Sequence, residues 1–197
     1  QLHFKVPAYR QPVAGVDVAR RVTVRPEATT ITYTHSDFTV RQHVVAPRDE
    51  GSLLVLLDVE TFVPLEVVVQ FRPVLQYMWP GSFGGQYVFW DEAHNAFVLS
   101  ESTQRRNAVI GTSWPSEGEA HPAHRLAEAP ATFVIPVDSA RAAREFVPIA
   151  VAAGTEPREE VFRRWRRTIE GAEGLYDAAR TWADEVLETT ASLDTPD

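Results

Sequence analysis

Between Val22 and about Ala150 the chain is one short strand-like run after another, with no helical pattern in between. Strands that follow one another without crossover helices pair antiparallel, and many short ones separated by turn residues close into a sandwich. Thr30–His35 alternates apolar and polar residues with period two, as does Phe38–Val40, so each has one buried and one wet face. Leu53–Val59 is nearly continuous in apolar residues, the pattern of a strand covered on both faces. Leu65, Val67, Val69 and Phe71 alternate with Glu66, Val68, Gln70 and Arg72, and further β-type runs cover Gln86–Trp90, Ala96–Glu101, Ala108–Thr112, Thr132–Val137 and Phe146–Ala152. Turn formers separate them at Asp49–Gly51, Pro80–Ser82, Gly84–Gly85, Asp91–Asn95 and Pro130. Ser113–Pro130, rich in Pro, Ala, Glu and His, reads as one long loop.

The pattern changes at Gly154. Thr155 reads as a helix N-cap with Pro157 in the first turn, where its missing N–H costs little. Val161, Phe162, Trp165 and Ile169 share one helical face; Gly171 and Gly174 interrupt, and Leu175, Ala179, Trp182, Val186 and Leu187 form a second apolar stripe. The expected organisation is a β-sandwich over residues 1–153, two helices over 154–192, and a linker-like segment over 193–197. The chain opens on Gln1 rather than Met and its last residues read as linker, so both ends are expected to be cuts in a longer polypeptide.

At 197 residues one domain, or one domain with an appendage, is the default. The longest unbroken apolar run, Leu53–Leu57, is far short of the ~18–20 residues of a membrane span, so no membrane partner is expected. A net charge of −8 argues against nucleic acid, which is bound through clustered positive charge. Lys5 is the sole lysine, and the one basic run, Arg163–Arg167, is offset by Glu159, Glu160, Glu170 and Glu173, as on an ion-paired helix face. With no cysteine there is no disulfide, thiolate metal site or cysteine nucleophile.

Several catalytic signatures are missing. The sequence has no phosphate-cradling glycine loop, and Gly111-Thr-Ser-Trp-Pro115 fails the Gly-x-Ser-x-Gly pattern at its last position. His121 and His124 are three apart in a Pro-rich stretch; a metal would need a third ligand and an ordered backbone, and the alternative is a pair of exposed loop histidines. No cofactor and no metal site is expected. His35, His43 and His94 read as strand or turn residues with ordinary hydrogen bonds. The doublets Asp49-Glu50, Asp91-Glu92 and Glu159-Glu160 point in divergent directions and read as solvated pairs rather than a general acid and base facing one bond. More informative is Tyr77–Glu92, where Tyr77, Trp79, Phe83, Tyr87 and Trp90 cluster around glycines beside Gln86, Asp91 and Glu92. Flat aromatic faces with polar edges can hold a sugar ring, so Tyr77, Trp79, Tyr87, Trp90, Asp91 and Glu92 are candidate carbohydrate contacts. The alternative is a hairpin whose aromatics plug one end of the sandwich.

That same run, Gln76–Glu92, together with Asn95–Ser102, resembles the N-terminal β-sandwich region of bacterial glycoside hydrolases of the glycogen-debranching or amylo-α-1,6-glucosidase type. Phe38–His43, Gly51–Val59 and Phe146–Ile149 carry further resemblance, and Leu193–Asp197 is similar to the point where that family enters its catalytic domain. The likeness covers the chain from about Val6 and rests on strand and turn residues rather than on a catalytic signature. It implies a β-supersandwich and linker helices followed by an (α/α)6 barrel carrying two catalytic carboxylates. The barrel, and with it every catalytic residue, falls outside these residues, and the upstream part of the sandwich is also expected to be missing.

The expectation is therefore a non-catalytic sandwich domain of an α-glucan-acting glycoside hydrolase, partnered by its own catalytic domain and lending a loop to an α-glucan oligosaccharide. Val161, Phe162, Trp165, Leu175, Trp182 and Val186 are the candidates for packing between domains. The rival readings are a stand-alone carbohydrate-binding module built on Trp79, Tyr87 and Trp90, and a metal enzyme built on His121 and His124.

Overall fold

The structure, a computed structural model, describes residues 1–48, 51–75, 85–119 and 129–190. In chain order its elements are β1 (Leu2–Lys5), β2 (Val13–Ala14), α1 (Gly15–Val18), β3 (Ala19–Val24), β4 (Thr29–Thr34), β5 (Phe38–Val45), β6 (Ser52–Thr61) and β7 (Leu65–Phe71). There follow β8 (Gln86–Asp91), β9 (Ala96–Glu101), β10 (Asn107–Thr112), β11 (Glu117–Glu119), β12 (Ala131–Val137), α2 (Ser139–Ala142), β13 (Val147–Gly154), α3 (Arg158–Glu170) and α4 (Ala172–Thr189). The chain is mainly β, as expected: an antiparallel β-sandwich followed by two helices.

One sheet has five strands in the order β11-β12-β7-β1-β2, and the other eight, in the order β3-β4-β5-β6-β13-β10-β9-β8. The sheets begin well before Val22, because β1 pairs with β7 (Phe4 opposite Val67) and β3 pairs with β4 (Val22 opposite Ile31). The stretch after Ser113 is also not all loop. Glu117–Glu119 forms an edge strand with Gly118 opposite Phe133, its place set by that partner and not by its own polar sequence.

Between the sheets lie Phe4, Phe38, Val40, Leu57, Val59, Val67, Phe97, Trp114, Phe133 and Ile135, all buried. The other face of the wide sheet carries a second core. Leu54, Leu56, Val109, Ala150 and Ala152 meet Val161, Trp165 and Ile169 of α3. Strand β6 serves both layers, with Leu54 and Leu56 toward the helices and Leu57 and Val59 toward the second sheet, which is why its sequence lacks alternation. Fully burying each such side chain is worth roughly 1.5–3 kcal/mol. The small residues Ala150 and Ala152 on β13 let α3 lie close, and the indole N–H of Trp165 donates to the Ala150 carbonyl at 3.1 Å.

Helix α3 starts later than Thr155 would place it. Its N-cap is Pro157, extended at φ −51° and ψ 146° and without a side-chain cap, while Glu159 and Glu160 in the first turn complement the helix dipole. Gly171 closes α3, its N–H donating to the Arg167 carbonyl at 2.9 Å, and opens α4, in which Gly174 is an ordinary helical residue. The basic run sits in ion pairs: Arg163 with Glu160 at 2.6 Å, Arg164 with Glu156 at 2.7 Å and Arg166 with Glu170 at 3.1 Å. No helix among the described residues is long and apolar enough to cross a membrane.

Candidate functional site

Strands β8 and β9 form a hairpin at one edge of the wide sheet, Trp90 opposite Phe97 and Asp91 opposite Ala96. The intervening turn is built by Asp91 and Asn95. One Asp91 carboxylate oxygen accepts the Ala93 N–H at 3.1 Å, and the other lies 2.9 Å from Nδ1 of His94. Asn95 takes the left-handed conformation, φ +52°, that asparagine tolerates better than most residues. Its carbonyl receives the Thr112 N–H at 3.1 Å and so ties the turn to β10.

Because side chains alternate along a strand, β8 divides into two sets. Gln86, Val88 and Trp90 face the second sheet, while Tyr87, Phe89 and Asp91 face the side that carries the helices. Trp90 is accordingly not part of an open platform. Its ring lies 4.9 Å from Phe97 and 5.7 Å from Phe133, and it packs so tightly over Gly118 that a Cβ there would fall 2.2 Å from the indole. Of the expected contacts, Tyr87 is open at 61% exposure, Glu92 is exposed, and Asp91 is half-buried in its pair with His94. Tyr77 and Trp79 lie outside the described residues. Gln86, buried, accepts the Leu75 N–H at 2.8 Å and donates to the Pro73 carbonyl, anchoring the segment that leads toward them.

Helix α3 packs mainly over β6, β13 and β10, and among the described residues only its flank borders the outer shoulder of the wide sheet at β8. A groove of about 510 Å³ runs there between the hairpin and the flank of the helix. Phe89, Asp91, His94 and Val98 come from the hairpin, and Arg158, Glu159, Phe162 and Arg163 from α3. The His94 ring stands edge-on to Phe162 at 4.8 Å, joining the two walls. Arg158 lies 3.6 Å from Glu159, and Arg163 pairs with Glu160, so the helix wall carries both signs of charge. Phe89 and His94 were not legible as site residues, because aromatics occupy both phases of β8 and nothing local says which phase faces out.

The candidates for packing between domains fall into separate places. Val161 and Trp165 are buried against the chain's own sheet, whereas Phe162 lines the groove. Leu175 packs half-buried against the helix-side core, and Val186 is also half-buried. Trp182, half-buried, lies under the Arg48 guanidinium at 4.9 Å.

Elsewhere among the described residues several charged and polar groups are tied up within the fold. Arg41 joins Asp58 at 2.8 Å and Glu60 at 2.6 Å. Glu101 organises the β9–β10 turn by accepting the N–H groups of Thr103 and Arg105 and the Thr103 hydroxyl, which together hold its carboxyl below the usual range. His43 sits 3.0 Å from the Thr30 hydroxyl and packs on Phe146 and Tyr176. Among the described residues no group of three or more His, Asp or Glu side chains could hold a metal; His121, His124, Asp49 and Glu50 lie outside them.

Comparison with known proteins gives a fold without a sequence family. No protein-family model and no curated protein matches the sequence. Among solved structures, a bacterial glucoamylase complexed with acarbose superposes with a TM-score of 0.58 at 10% identity, over 93% of this chain and 31% of its own. A putative kojibiose phosphorylase from the human microbiome superposes equally well, at 0.58 and 7% identity, over 93% of this chain and 27% of its own. The fold is one that a part of each of these two enzymes shares. This chain spans less than a third of either enzyme's length.

Proposed function

We propose that this chain is a non-catalytic sandwich domain of an enzyme acting on α-glucans, of the glycogen-debranching or glucosidase-like kind, and that it supports a separate catalytic domain. The carrying observation is the pair of coverages: nearly all of this chain superposes on a glucoamylase, yet it accounts for under a third of that enzyme. A module with these proportions has room beside it for a second domain that breaks the bond. The bound acarbose in that neighbour supports an α-glucan-like oligosaccharide as the substrate class of the whole enzyme.

The chemistry of the described residues is consistent with a supporting role. Hydrolysis of a glycosidic bond needs two carboxyl groups held roughly 5–10 Å apart across an open cleft. Asp58 and Glu60 are instead both engaged by Arg41, and Glu101 is spent on a turn. The half-buried residues Trp182 and Val186, near the end of α4, are our candidates for the contact with the catalytic domain.

The test is activity on maltooligosaccharides and on α-1,6-linked isomaltooligosaccharides. The 197-residue chain alone is expected to release no glucose, while a polypeptide extended through the downstream reading frame hydrolyses one of them. Turnover by the isolated chain, abolished by a substitution within it, would overturn the proposal.

A further inference from the structure

The groove on this shoulder has the composition of a sugar site, while its Phe162 also packs against the helix-side core. Its floor is apolar and partly flat, made of Val98 and the rings of Phe89 and Phe162. Its rim alternates acceptors and donors: Asp91 and His94 on the hairpin, Arg158, Glu159 and Arg163 on the helix. A pyranose ring presents the matching pattern, with apolar C–H faces and an equator of hydroxyls that each donate and accept. The volume, about 510 Å³, falls in the range of small-molecule sites.

Charge narrows the ligand class. Arg158 lies beside Glu159, Arg163 pairs with Glu160 and Asp91 with His94, so each charge of the lining has a partner, which suits a neutral ligand. His94 has Nδ1 2.9 Å from an Asp91 carboxylate oxygen, which fixes its ring at the groove wall. Phe89 is 43% exposed on the floor, in a place where a solvated polar residue would cost nothing.

We infer that this groove binds a neutral glucopyranose oligomer, with Phe89 and Phe162 against the ring face and Asp91, His94 and Arg158 on the hydroxyls. The inference rests on the α-glucan reading above and deepens it by assigning a non-catalytic subsite to α3 and the β8–β9 hairpin, with Trp90 outside it.

Titration of the 197-residue chain with maltotriose, followed by calorimetry and by NMR of the Val98 methyls and the His94 ring, tests it. Saturable binding with shifts at Val98 and His94 is expected, together with at least about tenfold weaker binding in Phe89→Ala, equivalent to about 1.4 kcal/mol. Phe89→Trp, which restores a stacking face, should recover the affinity, and Asp91→Asn gives a second variant should Phe89→Ala fold poorly. No saturable binding at tens of millimolar, or binding indifferent to both Phe89→Ala and Asp91→Asn, overturns the subsite. The domain reading fails separately, on turnover by the isolated chain, so a chain that neither binds maltotriose nor hydrolyses glucans sinks the groove alone.

Discussion

The indole nitrogen of Trp165 reaches across from α3 to the carbonyl of Ala150 on β13, 3.1 Å away, and this bond lies at the centre of the helix-side core. Val161 and Ile169, one turn to either side, complete the contact.

Removing that side chain should therefore detach the helix. Trp165→Ala is expected to destabilise the domain by about 3–5 kcal/mol. Trp165→Phe, which keeps most of the apolar area and loses the donor, should cost about 1–3 kcal/mol. Urea unfolding followed by far-ultraviolet circular dichroism gives both values, and a Trp165→Ala midpoint equal to the parent's would contradict the packing.

Tyr87 and Trp90, three residues apart on β8, should behave in opposite ways. Tyr87→Ala removes an exposed ring and is expected to shift stability by less than about 0.5 kcal/mol. Trp90→Ala removes a ring lodged against Phe97 and Phe133 and should cost about 3 kcal/mol. Thermal melts of the two variants side by side separate them; equal melting temperatures would mean that the two faces of β8 are assigned the wrong way round.

Gly111 sits where β10 approaches the β8–β9 turn. A Cβ at this position would lie 2.4 Å from the Asn95 carbonyl oxygen and 2.6 Å from the Ala96 Cα, both of them backbone and unable to swing aside. Gly111→Ala is expected to cost at least about 1–3 kcal/mol through overpacking. The amide of Thr112, which donates to the Asn95 carbonyl, should lose protection in hydrogen exchange. Unchanged protection there would contradict the close approach of the two backbones.

His43 gives the domain an acid sensitivity. Burial beneath Phe146 and Tyr176 holds its pKa below the ordinary imidazole range, the negative charge of Asp58 opposing this shift and the positive charge of Arg41 adding to it. The unfolded chain takes up this proton near pH 6.5, approximately, and the folded chain only at lower pH. Between those points the unfolded state holds more protons, so stability falls as the pH drops from neutrality and levels off below the folded pKa. The difference in urea midpoint between the parent and His43→Gln, measured from pH 7.5 to pH 5, should shrink as the pH falls. A constant difference would exclude His43 as the source.

Most strands from β4 to β13 were legible because alternation and turn residues are local signals, whereas β1 and β2, before Val22, were not. The double-sided burial of β6 could be read from Leu53–Val59 alone, since only a strand covered on both faces tolerates that run. What could not be read was decided at a distance. Glu117–Glu119 becomes a strand only because β12 offers it an edge, and Trp90 turns inward because Gly118 leaves room for the ring. Gln86, polar yet buried, hides the phase of β8, since its amide is satisfied by the backbone at Pro73 and Leu75, eleven to thirteen residues away. The groove joins a hairpin to a helix some seventy residues later, and no spacing rule links Phe89 to Phe162.

The helix layer is narrower than the eight-stranded sheet beneath it, and this mismatch separates cohesion from recognition. Exposed shoulder positions such as Phe89 and Glu92 can change without loosening either interior, so the domain is free to exchange one surface chemistry for another there.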